Sequence, residues 1–148
     1  MTRFSTIIAT YNRADLIGAT LDSALAQDCD GHEIIVVDDG STDDTAAVLA
    51  RYDGRITVIR QSNKGPGAAR NAGIAKATGD YITLLDSDDL WFAWTLATYQ
   101  RAIEQHNHPA FVASREWAFQ GELARPPRDD YRATAYDDYY ASWRDGGW

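Results

Sequence analysis

Three short polar clusters in this sequence carry side chains suited to holding a phosphate-bearing ligand and a divalent cation. They span residues 10–13, 38–40 and 86–89. Each follows a run of apolar, often β-branched residues that predicts a buried strand. In an open parallel sheet, ligands bind at the carboxyl ends of the strands. Three polar clusters at such ends therefore indicate a single site along one edge of the sheet.

The third cluster places two carboxylates two residues apart in Asp86-Ser87-Asp88. Hard oxygen ligands of this kind suit Mg²⁺ or Mn²⁺. Such a cation would neutralise a phosphate-bearing ligand and act as a Lewis acid. The structural alternative is a solvated turn in which Ser87 or Asp88 caps the following helix. An isolated pair with this spacing is more often such a turn.

The first two clusters suit the recognition of a nucleoside. Asp38 and Asp39 could accept hydrogen bonds from a base or a ribose, and Tyr11 could stack on a base. The alternatives are a turn, in which Gly40 supplies an unusual backbone angle, and ordinary packing of the tyrosine ring. The sequence argues against a calcium loop that begins at Asp38, because Leu49 stands at its twelfth position, where that motif needs a glutamate.

Two cations flank a short glycine-rich segment before a predicted helix. Lys64 and Arg70 lie on either side of Gly65-Pro66-Gly67 and could bind phosphate, assisted by the positive end of the helix dipole. The alternative is a pair of solvated surface cations. The segment matches neither the Walker loop nor the dinucleotide-binding glycine fingerprint.

The elements that must position these clusters alternate between strand and helix. The patterns predict strands over residues 4–9, 33–37, 56–59, 81–85 and 110–113, and helices over 15–27, 41–50, 67–77 and 92–105, with Ser41 as the N-cap of the second helix. This order predicts an α/β domain with a mostly parallel sheet covered by helices. The periodic pattern ends near residue 118, and residues 119–148 are rich in acids and aromatics.

Composition excludes several classes of function. The 148 residues, 45% of them hydrophobic, fit one globular domain. Acids outnumber bases 22 to 14, which argues against nucleic-acid binding and against docking on an anionic membrane. The single cysteine, Cys29, excludes an internal disulfide or a cysteine-based zinc site, and the three histidines are interpreted as surface residues. No apolar run is long enough for a signal peptide or a transmembrane segment, so we expect a cytoplasmic protein, or one peripheral to the inner face of a membrane.

Four segments in order resemble the family 2 glycosyltransferases, which have the GT-A fold. They are STIIATYNR (5–13), VVDDGSTD (36–43), GAARNAG (67–73) and LLDSDDL (84–90), and the resemblance covers residues 3–118. It implies a three-layer α/β/α, Rossmann-like domain with a mostly parallel central sheet. It also implies an enzyme of the hexosyltransferase type. Such an enzyme transfers a sugar, with inversion, from a nucleotide-diphospho-sugar to a hydroxyl of a glycan, lipid or other acceptor.

The resemblance assigns the first two clusters to the nucleoside of the donor. Tyr11 resembles the residue that stacks on the base, and Asp39 resembles the aspartate that recognises it, usually as uracil of UDP. The same loops contribute the remaining residues assigned to the donor, which are Thr10, Asn12, Arg13, Asp38 and Gly40.

The resemblance assigns the other residues to the diphosphate and its metal. Arg70 lies in the segment near the diphosphate, and Lys64 is a weaker assignment in a loop that varies. Asp86 resembles the residue near the ribose and also belongs to the metal site. Asp88 resembles the direct ligand of Mn²⁺ or Mg²⁺.

The sequence departs from the family where the catalytic base is expected. Family members place this carboxylate in an acceptor-binding half well downstream of the Asp-x-Asp motif, whereas 60 residues follow Asp88 here and contain no Glu-Asp pair. The catalytic residue is therefore left unassigned, with Asp129, Asp130, Asp137 and Asp138 as the remaining carboxylates of interest. We expect an apparently truncated enzyme with a nucleotide-sugar-binding domain over 1–118. Residues 119–148 would form an irregular tail leading towards a missing acceptor half, and its aromatics are compatible with a homo-oligomer.

Two other functions stay open from the sequence. One is a donor-binding module without turnover, because the base and the acceptor half are absent. The other is a phosphotransferase of the haloacid-dehalogenase type, which also has a strand followed by Asp-x-Asp. That family needs a lysine downstream of the motif, and both Lys64 and Lys76 precede Asp86.

Overall fold

The computed structural model describes residues 2–110 and 112. Strands and helices alternate along them, as the sequence predicts. They are β1 (Phe4–Thr10), α1 (Ile17–Leu25), β2 (His32–Asp38), α2 (Thr45–Ala50), β3 (Thr57–Arg60), α3 (Pro66–Ile74), β4 (Tyr81–Leu84) and α4 (Thr95–Gln105). One compact unit ends at Ala97 and a second begins at Thr98. No helix within the described residues has the length and apolar character needed to cross a membrane.

The four described strands form one parallel sheet in the order β3-β2-β1-β4. β1 lies between β2 and β4, with Thr10 opposite Asp38 and Ile7 opposite Leu84. The chain therefore adds strands on one side of β1 and then crosses to the other side. A crevice forms at such a switch point, beyond the carboxyl ends of the strands. The predicted α/β fold with a parallel sheet is confirmed.

The two central strands are buried on both faces, which explains their almost continuous apolar sequences. Ile8 and Val36 pack on one face against residues of α1 and α2. Ile7 and Val37 pack on the other face against α3, where Ala69 is fully buried. The helices that cover the sheet thus hold the carboxyl ends of β1 and β2 in fixed positions.

Three helices begin later than predicted, the first of them α1, which begins at Ile17 and not at residue 15. α2 begins at Thr45, and Ser41 is not its N-cap. The hydroxyl of Ser41 instead accepts a hydrogen bond from the backbone N–H of Asn12 at 2.9 Å. α4 begins at Thr95. Its first turn is bound by Gln27, whose Oε1 accepts a hydrogen bond from the N–H of Leu96 at 3.0 Å.

Two further predictions concern a strand and the histidines. In the predicted strand over 110–113, residues 111 and 113 lie outside the described residues, and Ala110 and Val112 belong to no strand. His32 is half-buried, so its interpretation as a surface residue is wrong. Its Nε2 hydrogen-bonds to Oγ1 of Thr6 at 2.7 Å, and burial lowers the pKa of the imidazole.

Two glycines of α3 give a matched test of how closely this helix packs on the sheet. A Cβ at Gly73 would lie 2.5 Å from Cγ2 of Ile7, whereas a Cβ at Gly67 would meet nothing within 4 Å. Gly73→Ala therefore should lower the free energy of unfolding by about 1–3 kcal/mol through overpacking. Gly67→Ala should raise it by about 0.4–1 kcal/mol through the lower entropy of the unfolded chain. Urea unfolding of both variants measures the difference, and equal stabilities would contradict this packing.

Candidate functional site

A pocket of about 380 Å³ opens at the carboxyl ends of β1, β2 and β4. All three polar clusters contribute to its wall, together with the start of α3. The residues that line it are Ala9, Thr10, Tyr11, Arg13, Asp39, Asn63, Gly65, Pro66, Ala69, Arg70, Asp86, Ser87 and Asp88. The structure therefore brings together side chains that are up to 79 positions apart in the sequence, from Ala9 to Asp88.

The carboxylate of Asp39 anchors one wall of the pocket. Its Oδ1 accepts hydrogen bonds from Nε2 of Gln61 at 2.7 Å and from the N–H of Lys64 at 2.9 Å. Its Oδ2 accepts one from the N–H of Gly65 at 2.8 Å. The hydrogen bond from Gln61, supported by the two backbone amides, lowers the pKa of Asp39. These contacts attach the loop between β3 and α3 to the end of β2.

Gly40 makes this attachment sterically feasible. Its φ is +81°, in the left-handed region that favours glycine, and a Cβ there would lie 2.9 Å from the backbone N of Asn63. A side chain at this position would push the loop away from Asp39. Gly40 therefore shapes the pocket without lining it.

Asp38 lies beside this turn, and its carboxylate stabilises the local structure. It is 3% exposed, and its Oδ1 accepts a hydrogen bond from the N–H of Ser41 at 2.9 Å. Its Oδ2 lies 3.7 Å from Nε of Arg60. Asp38 thus closes the turn after β2 and does not line the pocket, although the sequence assigned it to the donor.

Asn12 joins the loop after β1 to the loop after β2. It adopts a φ of +52°, which asparagine tolerates better than most residues. Its Oδ1 accepts a hydrogen bond from the N–H of Thr42 at 2.8 Å. Asn12 does not line the pocket, but it fixes the backbone between Tyr11 and Arg13, which do.

Tyr11 and Thr10 present different surfaces at the end of β1. Tyr11 is 44% exposed, although it directly follows the buried strand β1. Thr10 is 2% exposed, and its Oγ1 has no hydrogen-bond partner among the described residues. Its carbonyl accepts a hydrogen bond from the N–H of Asp39 at 2.9 Å, which ties the two clusters together.

The Asp-Ser-Asp segment forms a turn, and its carboxylates are each paired with an arginine. Nη2 of Arg70 lies 2.6 Å from Oδ1 of Asp86, and Nε of Arg13 lies 3.6 Å from Oδ2 of Asp88. All four side chains are 36–57% exposed. Ion pairs this exposed contribute about 0–1 kcal/mol, so they hold the fold only weakly.

Ser87 holds this turn in place. It is 7% exposed, and its carbonyl accepts a hydrogen bond from Oγ1 of Thr20 at 3.0 Å. The turn itself is closed by a hydrogen bond from the N–H of Asp89 to the carbonyl of Asp86 at 3.1 Å. The next helix begins at Thr95, so neither Ser87 nor Asp88 caps it. The segment is a turn, but its two acidic side chains line the pocket.

Lys64 contributes its backbone rather than its side chain to this site. Its N–H binds Asp39, while its side chain is exposed and does not line the pocket. Six lining residues were not assigned to the site from the sequence, namely Ala9, Asn63, Gly65, Pro66, Ala69 and Ser87. Ala69 has a signal in the sequence, because Pro66, Ala69 and Arg70 follow the i, i+3, i+4 spacing of one helix face. Asn63 has none, since it lies in an irregular loop.

Comparisons with known proteins agree on one family. The family described as "Glycosyl transferase family 2" matches residues 5–146. The UDP-Glc:alpha-D-GlcNAc-diphosphoundecaprenol beta-1,3-glucosyltransferase WfaP of Escherichia coli is 36% identical over 87% of this chain and 54% of its own length. The succinoglycan biosynthesis protein ExoO of Rhizobium meliloti is 49% identical over 56% of this chain and 24% of its own length. The chain thus spans about half or less of these relatives.

Two solved structures resemble the fold. The structure of S. aureus TarS 1-349 in complex with UDP-GlcNAc aligns with a TM-score of 0.65 and 33% identity, over 71% of this chain and 32% of that one. The mannosyltransferase PcManGT from Pyrobaculum calidifontis, in complex with GDP-Man and Mn²⁺, aligns with a TM-score of 0.58 and 33% identity. That alignment covers 65% of this chain and 30% of the mannosyltransferase.

The role of Asp39 is tested by Asp39→Asn. An asparagine offers one acceptor oxygen and turns an N–H₂ group towards N–H donors, so at least one of the three loop contacts is lost. We expect a lower urea midpoint at pH 7, whereas Asn in place of the exposed Asp15 should leave it unchanged.

The lowered pKa of Asp39 predicts that the free energy of unfolding falls at acidic pH. Because the folded pKa of Asp39 lies below the unfolded value of about 3.9, its contribution is complete above that value and is lost as pH falls through the lower, folded pKa. Asp39→Asn should therefore lose less stability than the wild type over this acidic range. Urea unfolding at a series of acidic pH values measures this loss. If the free energy of unfolding falls equally in the two proteins, the lowered pKa of Asp39 is contradicted.

Proposed function

The chain belongs to glycosyltransferase family 2 and has the GT-A fold, and from that premise we propose that its pocket binds a nucleotide-diphospho-sugar, a UDP-sugar, for sugar transfer to an acceptor hydroxyl. The observation that carries this proposal is the arrangement of the pocket wall. An exposed aromatic ring, a hydrogen-bond acceptor, two arginines and two carboxylates converge there from different elements. These are the groups that a base, a diphosphate and a divalent cation require.

The base would occupy the part of the pocket formed by Tyr11 and Asp39. The exposed ring of Tyr11 offers a face for stacking. An ionised carboxylate has about four acceptor positions, and three of those on Asp39 are occupied by loop N–H groups. One position is left to accept an N–H of a base, such as the imide N–H of uracil. The relatives named for UDP-Glc and solved with UDP-GlcNAc support a UDP-sugar.

The diphosphate would lie near the arginines, with a metal ion beside the acidic turn. Asp88 is the direct ligand in this proposal, and Asp86 supports it while lying near the ribose. Both carboxylates are about half exposed and line the same pocket. No group of three or more ligating side chains occurs among the described residues. Two carboxylates suffice for Mg²⁺ or Mn²⁺ when phosphate oxygens complete the coordination shell.

The reaction we propose is a single displacement with inversion. The oxygen of an acceptor hydroxyl forms a bond to the anomeric carbon while the bond from that carbon to the diphosphate oxygen breaks. Arg13 and Arg70 can offset the negative charge that develops on the leaving diphosphate. A bound Mn²⁺ or Mg²⁺ supplies further charge stabilisation there. A carboxylate base takes the proton of the acceptor hydroxyl.

This base is not assigned, and a second function is therefore retained. The four downstream candidates, Asp129, Asp130, Asp137 and Asp138, lie outside the described residues. Within the described part of the chain, the three carboxylates that line the pocket already have partners. This observation favours a domain that binds the donor without turnover on its own. Release of UDP in the presence of a glycan or lipid-linked glycan acceptor distinguishes the enzyme from the binding domain.

For the cellular location, the oligomeric state and the domain limits we keep the predictions made from the sequence. We propose a cytoplasmic protein, peripheral to a membrane if its acceptor is a lipid. A donor-binding domain over 1–118 stays a prediction, as does a homo-oligomer, with which the aromatics of the tail are compatible.

Thermal unfolding with UDP, GDP or dTDP, with and without Mn²⁺, tests the donor site. A nucleotide at about 100 times its dissociation constant stabilises the folded state by about 2.7 kcal/mol, or roughly 5–10 °C for a domain of this size. We expect this rise with UDP only when Mn²⁺ is present. Asp88→Asn should abolish it, while Asp89→Asn, which changes a neighbour outside the pocket lining, should retain it. An unchanged response of Asp88→Asn would contradict the metal assignment.

The role of Tyr11 is tested by comparing Tyr11→Ala with Tyr11→Phe. Stacking of a base on an aromatic ring contributes about 1–3 kcal/mol, which is roughly 5- to 150-fold in affinity. We expect calorimetry with UDP and Mn²⁺ to show a loss of this size for alanine and little change for phenylalanine. Equal affinities of the alanine variant and the wild type would exclude stacking on this ring.

A further inference from the structure

The two arginines of the pocket come from different elements and each engages one carboxylate of the acidic turn. Arg70 belongs to α3 and contacts Asp86 at 2.6 Å. Arg13 follows β1 and contacts Asp88 at 3.6 Å. The carboxylates proposed for the metal are therefore already neutralised by protein cations in the structure.

These pairs are placed where they can be exchanged. All four side chains line the pocket and are 36–57% exposed, so solvent screens each pair and its loss costs the fold little. A guanidinium can bind either a phosphate or a carboxylate through the same planar fork of N–H donors. An arriving diphosphate can therefore take over the arginines, while a cation that arrives with it pairs with the two carboxylates that they leave.

We infer that Arg13 and Arg70 form an ion-pair latch, defined as the pairs Arg13–Asp88 and Arg70–Asp86, which keeps the metal carboxylates occupied until the diphosphate arrives. A cation arriving alone must displace an arginine that has no other anion to bind. A diphosphate arriving alone is repelled by the two negatively charged carboxylates. When both arrive, the arginines move to the phosphates and the carboxylates become free for the cation. This inference rests on the proposed function and adds that the cation and the diphosphate depend on each other for binding.

The latch predicts that one substitution raises the affinity for Mn²⁺ alone and lowers the gain in Mn²⁺ affinity when UDP is added. In Arg70→Gln or Arg13→Gln, one carboxylate loses its competitor, so Mn²⁺ alone should bind roughly two- to five-fold more tightly than to the wild type. The gain in Mn²⁺ affinity on adding UDP should become smaller in both variants, because the latch no longer has to open and a phosphate contact is lost. By reciprocity, the gain in UDP affinity on adding Mn²⁺ shrinks by the same factor.

The experiment is a Mn²⁺ titration of the full 148-residue chain, in which free Mn²⁺ is measured by electron paramagnetic resonance, without nucleotide and with saturating UDP. Arg60→Gln is the matched control, because it also removes one positive charge, but its partner Asp38 does not line the pocket. This control should leave both Mn²⁺ affinities at the wild-type values. Circular dichroism checks that each variant is folded.

The outcomes separate the latch from the donor site. If the wild type binds Mn²⁺ with UDP, but neither pocket variant binds Mn²⁺ alone more tightly, the latch is wrong and the proposed function stands. If Arg60→Gln tightens Mn²⁺ binding as much as the pocket variants do, the effect is one of net charge and the latch is also wrong. If the wild type binds no Mn²⁺ even with UDP, the proposed metal-dependent donor site is wrong, and the latch with it.

Discussion

The carboxylate of Asp39 accepts three hydrogen bonds from the loop between β3 and α3, and the form of the pocket depends on them. A backbone hydrogen bond from the N–H of Gln61 to the carbonyl of Asp38 joins the start of this loop to the end of β2, and the Asp39 contacts extend the attachment to Lys64 and Gly65. With them, Gly65 is held against the sheet and α3 begins beside the pocket, which places Arg70 opposite the acidic turn. Gly40 is required by the same contacts, since only a residue without a Cβ leaves room for the approaching loop. A residue that looks like a pure ligand-binding group in the sequence is therefore also the main structural anchor of the site.

The alternation of strands and helices could be predicted because it depends on local periodicity, and β1 and β2 are recognisable as strands from their largely apolar, β-branched runs. The residues at which the helices begin could not be predicted, because they depend on contacts with residues that are distant in the sequence. α4 begins where Gln27 can bind its first turn, and this contact spans 69 positions. The hydroxyl of Ser41 would cap α2 on local criteria, but Asn12, 29 positions away, donates to it. Capping rules describe what a side chain can do and not which of two partners it will bind.

The site could be predicted to the level of its three loops, but not to the level of each side chain. Asp38 and Asp39 are the same residue type at adjacent positions, and successive side chains at a strand end point to opposite faces. One therefore closes a turn while the other lines the pocket. Lys64 shows the same limit, since its backbone and not its side chain takes part. The pairs of Arg13 and Arg70 with the acidic turn depend on the order of strands in the sheet, which no local pattern encodes.

The most direct test of the central claim is a nuclear magnetic resonance spectrum of the ¹⁵N-labelled chain with UDP and a small amount of Mn²⁺. The paramagnetic ion broadens the signals of the amides nearest to it, so it reports the position of the metal without any assumption about activity. The account predicts that broadening centres on residues 86–88 and extends to residues 10–13. The signals of residues 31–33, at the opposite end of the parallel strands, should stay sharp. Broadening centred elsewhere, or none at saturating UDP, would contradict a metal-dependent donor site at this edge of the sheet.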